Sequence, residues 1–355
     1  MTKNEIFSFE RTPSLGLEKG AYRFAVAGAA HGHIHTMCQG LVAEGAELVA
    51  IWEPDVPTRD ALARKYPEAV ICEDIEEIYA RDDIRLVASA AIPVERASIG
   101  IRAMESGKDY FVDKAPMISL EQLDAVKETC ARTGRKYFIY YCELVHHEGA
   151  LAAAELISRG LIGKVAQVQG FGPHRLAAPT RPEWFFKREC TGGIIVDIGS
   201  QQPPQMLLYA GAKNGVVKHA RVGNFFCPEY PDFDDYGDVM MTCDNGVPCY
   251  FRVDWMSPKG LSTWGDARTV IVGEKGFIEV RKNCDLMRDN RPNTVYLVTD
   301  DGEYTENVSG MLGFPFFRRL IEDSFNRTDS AMDSEFAFNA AEIAIRAQMM
   351  ALGQA

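Results

Sequence analysis

No CxxC pair occurs among the nine cysteines of this 355-residue chain. That excludes a zinc knuckle or a redox dithiol built on adjacent thiols. No run of lysines and arginines is present and the net charge is −12. A polyanion is therefore repelled with no local patch to offset it, and no nucleic-acid partner is expected. The strongest apolar run, YFIYYC at 137–142, is far short of the ~20 residues that cross a bilayer. The opening MTKNEIFSFE lacks the apolar core of a signal peptide. Reduced thiols in the cytoplasm and no membrane partner are the expectation. Internal repeats and low-complexity segments are absent as well.

What is present is ordinary for a globular protein: 46% apolar and 25% charged residues. The length exceeds what one core usually covers, so two domains are expected. After a polar lead-in over 1–20, short apolar runs alternate with amphipathic stretches. YRFAVAG (22–28), AELVAIWEPD (46–55), LVASAA (86–91), DYFVDK (109–114) and KYFIYY (136–141) read as strands. The segments between them carry apolar residues at three- and four-residue spacing, as helices do. This rhythm predicts a parallel, doubly wound sheet covered on both faces, over 21–145. From 146 to 355 the pattern changes to longer alternating runs with hairpin turns at Asn245-Gly246 and Lys275-Gly276. An α+β domain with a large open antiparallel sheet follows, closed by helices over about 311–326 and 333–352.

The stretch GAAHGHIH (28–35) holds three histidines in the turn after the first strand. A phosphate-binding turn has the form GxGxxG, and these places hold Gly28, Ala30 and His33. Only the first glycine is kept, but the turn follows a strand, opens a helix, and is followed by Glu53 at the end of the second strand. A carboxylate there binds the ribose hydroxyls of NAD and repels the extra phosphate of NADP. Arg59 nearby weakens that exclusion without reversing it. A metal nest is the competing reading. On a helix His31 and His35 share a face while His33 points away, and no cysteine or carboxylate stands at ligand spacing. No metal is therefore expected. A turn with solvated histidines that binds nothing stays open.

Several further stretches resemble the glucose–fructose oxidoreductase, inositol dehydrogenase and MocA (Gfo/Idh/MocA) family. DYFVDKAP (109–116) resembles that family's strand ending in Glu-Lys-Pro. ERASIGIRAMESGK (95–108) resembles the helix before it. LISRGLIGKV (156–165) resembles the entry to the second domain, and GGIIVDIGSQQPPQMLLYAGA (192–212) its GGxxxDxGxHxxD helix. The resemblance implies a Rossmann domain, an open antiparallel sheet, an NAD cofactor, and oxidation or reduction of a sugar or polyol. It assigns Lys114 as the base and Asp197 as the residue orienting sugar and lysine. It also implies a homodimer or higher even oligomer through the sheet. Oxidising a secondary alcohol needs a hydride acceptor and a base for the hydroxyl proton. A lysine in a dry cleft beside a cationic nicotinamide can serve as that base near neutral pH. The bland alternatives are a solvated strand-end lysine at 114 and a helix N-cap at Asp197.

The chain departs from the family pattern where protons move. The family's histidine after the aspartate is Gln201 and its later aspartate is Pro204. A glutamine amide hydrogen-bonds but carries no proton in turnover, so Gln201 reads as a substrate contact. The cofactor-lining TPxxxH is AIPVER here, so its threonine and histidine are Ala91 and Arg96. The motif's Glu is Asp113, and its Pro is Ala115. A displaced histidine could carry the proton. His174, in GFGPHRL at a strand end, is the first candidate. His146 and His147 stand where the family has substrate-facing residues, with Tyr141 nearby. In APTRPEWFFKRE (178–189), Trp184 is the candidate for stacking on a sugar, beside Arg181 and Lys187, while two of the three rings anchor the loop. Two functions stay open. One is an NAD-dependent oxidation of a sugar, glycoside or cyclitol, including glycoside 3-oxidation with retained cofactor. The other is a redox-silent binder acting as sensor or subunit.

Overall fold

The computed structural model describes residues 1–354, which form two compact units. The first unit holds Pro13–Tyr140 and Pro315–Ala337. Its strands are β1 (Arg23–Ala27), β2 (Glu47–Trp52), β3 (Val70–Ile71), β4 (Leu86–Ser89), β5 (Asp109–Asp113) and β6 (Tyr137–Tyr140). They run parallel in the order β3-β2-β1-β4-β5-β6. Every residue of β4, β5 and β6 is buried, as a sheet covered on both faces requires. The strand order reverses between β1 and β4, so a ligand crevice opens at their carboxyl ends.

The helices of this unit start and stop on local chemistry. Asp55 and Ser119 accept from backbone N–H groups at the amino ends of Val56–Lys65 and Leu120–Thr133. Pro93 opens Pro93–Glu105, and Gly134, in the left-handed conformation, closes Leu120–Thr133. The late helix Pro315–Asn326 also belongs here. A side chain at Gly40 would meet the Phe317 ring at 2.2 Å, so the glycine admits that ring against helix His33–Ala43. Phe316 and Phe317 then pack on Phe111 of β5, at ring distances of 5.8 and 6.2 Å.

The second unit holds Met1–Thr12, Tyr141–Phe314 and the stretch from Phe338 on. Its sheet comprises β7 (Val165–Pro173), β8 (Gly215–Gly223), β9 (Tyr236–Cys243), β10 (Pro248–Asp254), β11 (Arg268–Gly273), β12 (Gly276–Arg281), β13 (Thr294–Thr299) and β14 (Gly302–Asn307). The order is β14-β13-β12-β11-β7-β10-β9-β8. The expected hairpins are present, with Gly246 at φ +89° in the β9–β10 turn. One pairing corrects the antiparallel expectation: β7 and β10 run parallel. Strands β8 to β10 are joined by hairpins, and β7 is inserted between β10 and β11, which no local signal announces.

Helices Glu148–Ser158 and Gln202–Ala210 lie on one face of this sheet. The other face exposes Val216, Met240 and Phe277. Gly170 and Gly172 of β7 let Gln202 lie against the strand, since a side chain at Gly170 would meet its Oε1 at 2.2 Å. The first residues of the polar lead-in carry structure of their own. Lys3–Ile6 is a helical turn with a capping box between Thr2 and Glu5, Ile6 and Phe7 are buried, and Arg159 donates to the Ile6 carbonyl at 2.7 Å. Among the described residues no helix is long and apolar enough to cross a membrane.

Candidate active site

Gly28 follows β1 with φ +87°, and a side chain on it would meet the Ala91 Cβ at 2.5 Å. Two backbone hydrogen bonds seal this approach: Ala90 N donates to Gly28 O and His31 N to Ala90 O, each at 2.9 Å. The turn after β1 and the turn after β4 thus touch at the point where the strand order reverses. Ala30 is exposed at the tip of the turn. Helix His33–Ala43 follows with Gly32 at its N-cap, and His33 N donates to His31 Nδ1 at 3.3 Å. Glu53 is 5% exposed. Its carboxylate accepts from Ala29 N and from Asp55 N, and the remaining lone pairs suit ribose hydroxyls. A close glycine, a helix that starts from the turn and an acid after β2 fit a dinucleotide. Arg59 pairs with Asp60 at 3.2 Å.

The histidines of the turn do something the spacing did not reveal. His31 Nδ1 lies 3.0 Å and His33 Nδ1 2.8 Å from the two oxygens of Asp113 at the end of β5. The premise that no carboxylate meets them is therefore corrected: it arrives from 80 residues away in sequence. His31, His33 and Asp113 offer three potential metal-ligating atoms within 4.8 Å of one another. The Asp113 carboxylate is already engaged, however. It accepts from Lys114 N at 2.8 Å and pairs with the Arg96 guanidinium at 3.4 Å, a cation that opposes a dication at the same oxygens. The cluster reads as a hydrogen-bonded tie between the cofactor turn and the strand that ends in Lys114.

Burial lowers the His31 pKa to about 4, helped by the neighbouring His33 and opposed by Asp113. Asp113 is held well below the usual carboxylate range by His33, His31 and Arg96, against its own burial. Arg96, at the family's histidine position, is 1% exposed. Its Nε donates to Ala91 O at 2.7 Å. Its Nη1 donates to the carbonyls of Asp113, Lys114 and Ala115. Lys114 is 4% exposed at the carboxyl end of its strand, and the Lys114–Ala115 peptide is cis. The alternative of a strand-end lysine in open water is thereby corrected.

In the second unit, Asp197 ends the short helix Ile194–Asp197. The N-cap of the next turn is Ile198, without a side-chain cap, so Asp197 is not the cap the sequence allowed. Gln201 is 2% exposed. Its Oε1 accepts from Glu143 N at 3.3 Å and its Nε2 lies 2.9 Å from Cys142 Sγ, so its amide braces the segment after β6. Tyr141 is fully buried, and burial pushes its phenol pKa up, which makes it a core residue. His147 precedes helix Glu148–Ser158, and burial lowers its pKa to about 4, with Lys282 adding to the effect. His146 packs edge-on against Phe314 at 4.1 Å.

His174 follows β7, with Nδ1 3.0 Å from Gly172 O and its ring against Trp255 (5.4 Å) and Trp264 (4.4 Å). Phe185 and Phe186 are buried while Trp184 is half-exposed, a division that leaves Trp184 as the ring able to meet a ligand. Arg181 Nε donates to Leu176 O at 2.9 Å, and its guanidinium lies over Phe185 and Trp255, 4.5 and 5.3 Å from the ring centres. Burial lowers its pKa, and Asp197 is close enough to raise it through space. The loop also borders a cleft of about 410 Å³ with charges of both signs: Arg181, Lys187, Glu183, Glu229 and Asp232.

Sequence reading missed a buried ion pair in the second unit. Lys282 Nζ and Glu143 Oε2 are 3.0 Å apart and at most 1% exposed. Gln202 and Gln205 donate to the same oxygen at 3.2 and 3.4 Å. Lysine and the neighbouring His174 and His147 lower the Glu143 pKa to about 2 against its burial. The signal available was a glutamate directly after the apolar run YFIYYC.

A doubly wound sheet with a dinucleotide turn, followed by a large open sheet, defines a nicotinamide-dependent oxidoreductase of two domains. The chain belongs to the GFO/IDH/MocA oxidoreductase family. The family's NAD-binding Rossmann-fold model matches residues 22–141 and its C-terminal domain model residues 150–279. A crystal structure of an oxidoreductase from Erwinia carotovora atroseptica SCRI1043 is similar at 42% identity and a TM-score of 0.91, covering 93% of this chain and 98% of that one. The scyllo-inositol 2-dehydrogenase (NAD(+)) of Bacillus subtilis strain 168 is 27% identical over 264 residues, 72% of each chain. Levoglucosan dehydrogenase, in complex with NADH and levoglucosan, shares the fold. It is 16% identical with a TM-score of 0.77, over 94% of this chain and 98% of that one. The cofactor is NAD, and the protein is an oxidoreductase.

Proposed function

We propose that the protein transfers a hydride between NAD and a ring hydroxyl of a sugar, glycoside or cyclitol. The observation that carries this reading is the setting of Lys114. Its side chain is buried at the carboxyl end of β5, and its backbone is clasped by Arg96. Bound NAD supplies the hydride acceptor. Lys114 takes the hydroxyl proton from its place at the end of the strand. Gly28, the start of helix His33–Ala43 and Glu53 hold the dinucleotide. Asp197 and His174 meet ring hydroxyls, and Trp184 offers a stacking face. The inositol dehydrogenase relative and the levoglucosan dehydrogenase fold support a cyclic polyol substrate. A relative named as a glycosyl hydrolase, from Phocaeicola vulgatus, supports keeping glycosides, and their 3-oxidation with retained cofactor, within the proposal.

One observation favours the redox-silent alternative. The Gln201 amide is occupied by Cys142 and Glu143, so nothing at that position replaces the family's histidine. The test is the absorbance of reduced nicotinamide near 340 nm when the NAD-loaded protein meets a panel of cyclic polyols. A rise with at least one of them supports the dehydrogenase. Binding without any rise across the panel supports the sensor.

A further inference from the structure

Three arginines flank the end of β7, and in two of them a terminal nitrogen meets protein acceptors. Arg175 donates to the carbonyls of Pro258, Leu261 and Thr263. Arg188 pairs with Asp234 at 2.9 Å. Arg181 differs. Its Nε is tied to Leu176 O, which fixes the side chain, while its two terminal nitrogens meet no acceptor among the described residues. Among the described residues no carboxylate lies within ion-pairing distance of it. The guanidinium instead rests on the buried ring of Phe185 and on Trp255, 8% exposed. Trp255 also carries His174, so the free edge of Arg181 belongs to the same aromatic box as His174 and lies within electrostatic reach of Asp197.

A half-buried guanidinium on an apolar floor, with two nitrogens uncommitted, is preorganised for a planar anion. A carboxylate satisfies both nitrogens at once, and a sugar hydroxyl satisfies one. The chain's net charge of −12 repels anions at long range, so recognising an acidic ligand requires a fixed local cation of this kind. We propose that the substrate is a cyclic polyol bearing a carboxylate, a sugar acid or cyclitol acid, and that Arg181 binds the carboxylate through Nη1 and Nη2. This rests on the dehydrogenase reading above, and it adds the charge class of the substrate.

Matched pairs test it: glucose against glucuronate and galactose against galacturonate, each with NAD, followed at 340 nm and by calorimetric binding. The acid is expected to exceed its neutral partner in kcat/KM by about tenfold or more, the range of a charge-assisted hydrogen bond. Its KM should rise with salt while that of the neutral sugar stays level. Arg181→Gln should bring the acid-to-neutral ratio towards one, and Arg181→Lys should retain part of it. A neutral partner turned over or bound as well as its acid by the wild-type protein overturns the proposal without any variant. So does a preference that survives Arg181→Gln. If no sugar of either class changes the absorbance, the dehydrogenase reading fails instead. Calorimetry on the same pairs then decides Arg181 by itself: tighter binding of the acids upholds the assignment, and equal binding removes it.

Discussion

Arg96 and Lys114 are joined through the backbone. The buried guanidinium donates to the carbonyls of Asp113, Lys114 and Ala115 and, at the other end, to Ala91 O. Arg96 therefore fixes the strand end on which the amine stands, and it ties that end to the turn that presses on Gly28. Arg96→Met leaves four carbonyl oxygens and the Asp113 carboxylate short of a donor. The expected cost is about 3 kcal/mol of stability, with a fall in kcat that exceeds any change in KM. Arg96→Lys keeps the charge but not the fork and should recover less than half of the loss. Denaturant unfolding and steady-state kinetics check both.

Gly28→Ala should abolish NAD binding or destabilise the first unit by about 2 kcal/mol, because the new methyl group meets Ala91 and the backbone has positive φ. Gly260→Ala, in the second unit with open space around it, is the control and should bind NADH normally. Fluorescence titration with NADH compares the two.

The Lys282–Glu143 pair predicts strong non-additivity. Lys282→Met strands a buried carboxylate and should cost about 3–5 kcal/mol. Adding Glu143→Gln should restore a large part, since the uncompensated charge is gone. A double-mutant cycle by chemical denaturation measures it.

Acid should weaken the fold in two stages. His31 and His147 have pKa values lowered to about 4 by burial, against 6.5 for the free side chain. Unfolded chains take up these protons between pH 6.5 and 4 while folded chains do not, so stability falls as pH drops through that window. Each site contributes on the order of 2 kcal/mol. Below it Glu143, lowered from 4.5 to about 2, and Asp113, held well below 3.8, add a second loss as pH falls further. Melting temperature against pH should show both limbs, and His31→Asn should flatten the upper one.

The alternation of apolar strands and helices carried the fold into the sequence legibly, because a sheet covered on both faces leaves continuous apolar runs such as YFIYY. The N-G hairpin was legible for the same local reason. What was not legible depends on distant partners. The parallel β7–β10 pair joins strands about 80 residues apart, and Phe317 reaches the first unit only because Gly40 leaves room. In the site, Lys114, Glu53 and Gly28 could be named from motif position. The His31–Asp113–His33 tie could not, because side chains at the end of β5 reach the turn after β1 only once the sheet has formed. Gln201 read as a substrate contact because it stands at the position of the family's histidine. Its amide is spent on Glu143 N and Cys142, which helix spacing alone does not indicate.

The central claim is that the Lys114 amine takes the proton of the alcohol being oxidised. The direct measurement is single-turnover reduction of bound NAD at 340 nm, with the best polyol of the panel, in the wild-type protein and in Lys114→Met, with NAD binding confirmed for both. The account predicts that the variant binds NAD yet loses hydride transfer by about a hundredfold or more. Reduction at the wild-type rate in the variant would contradict it.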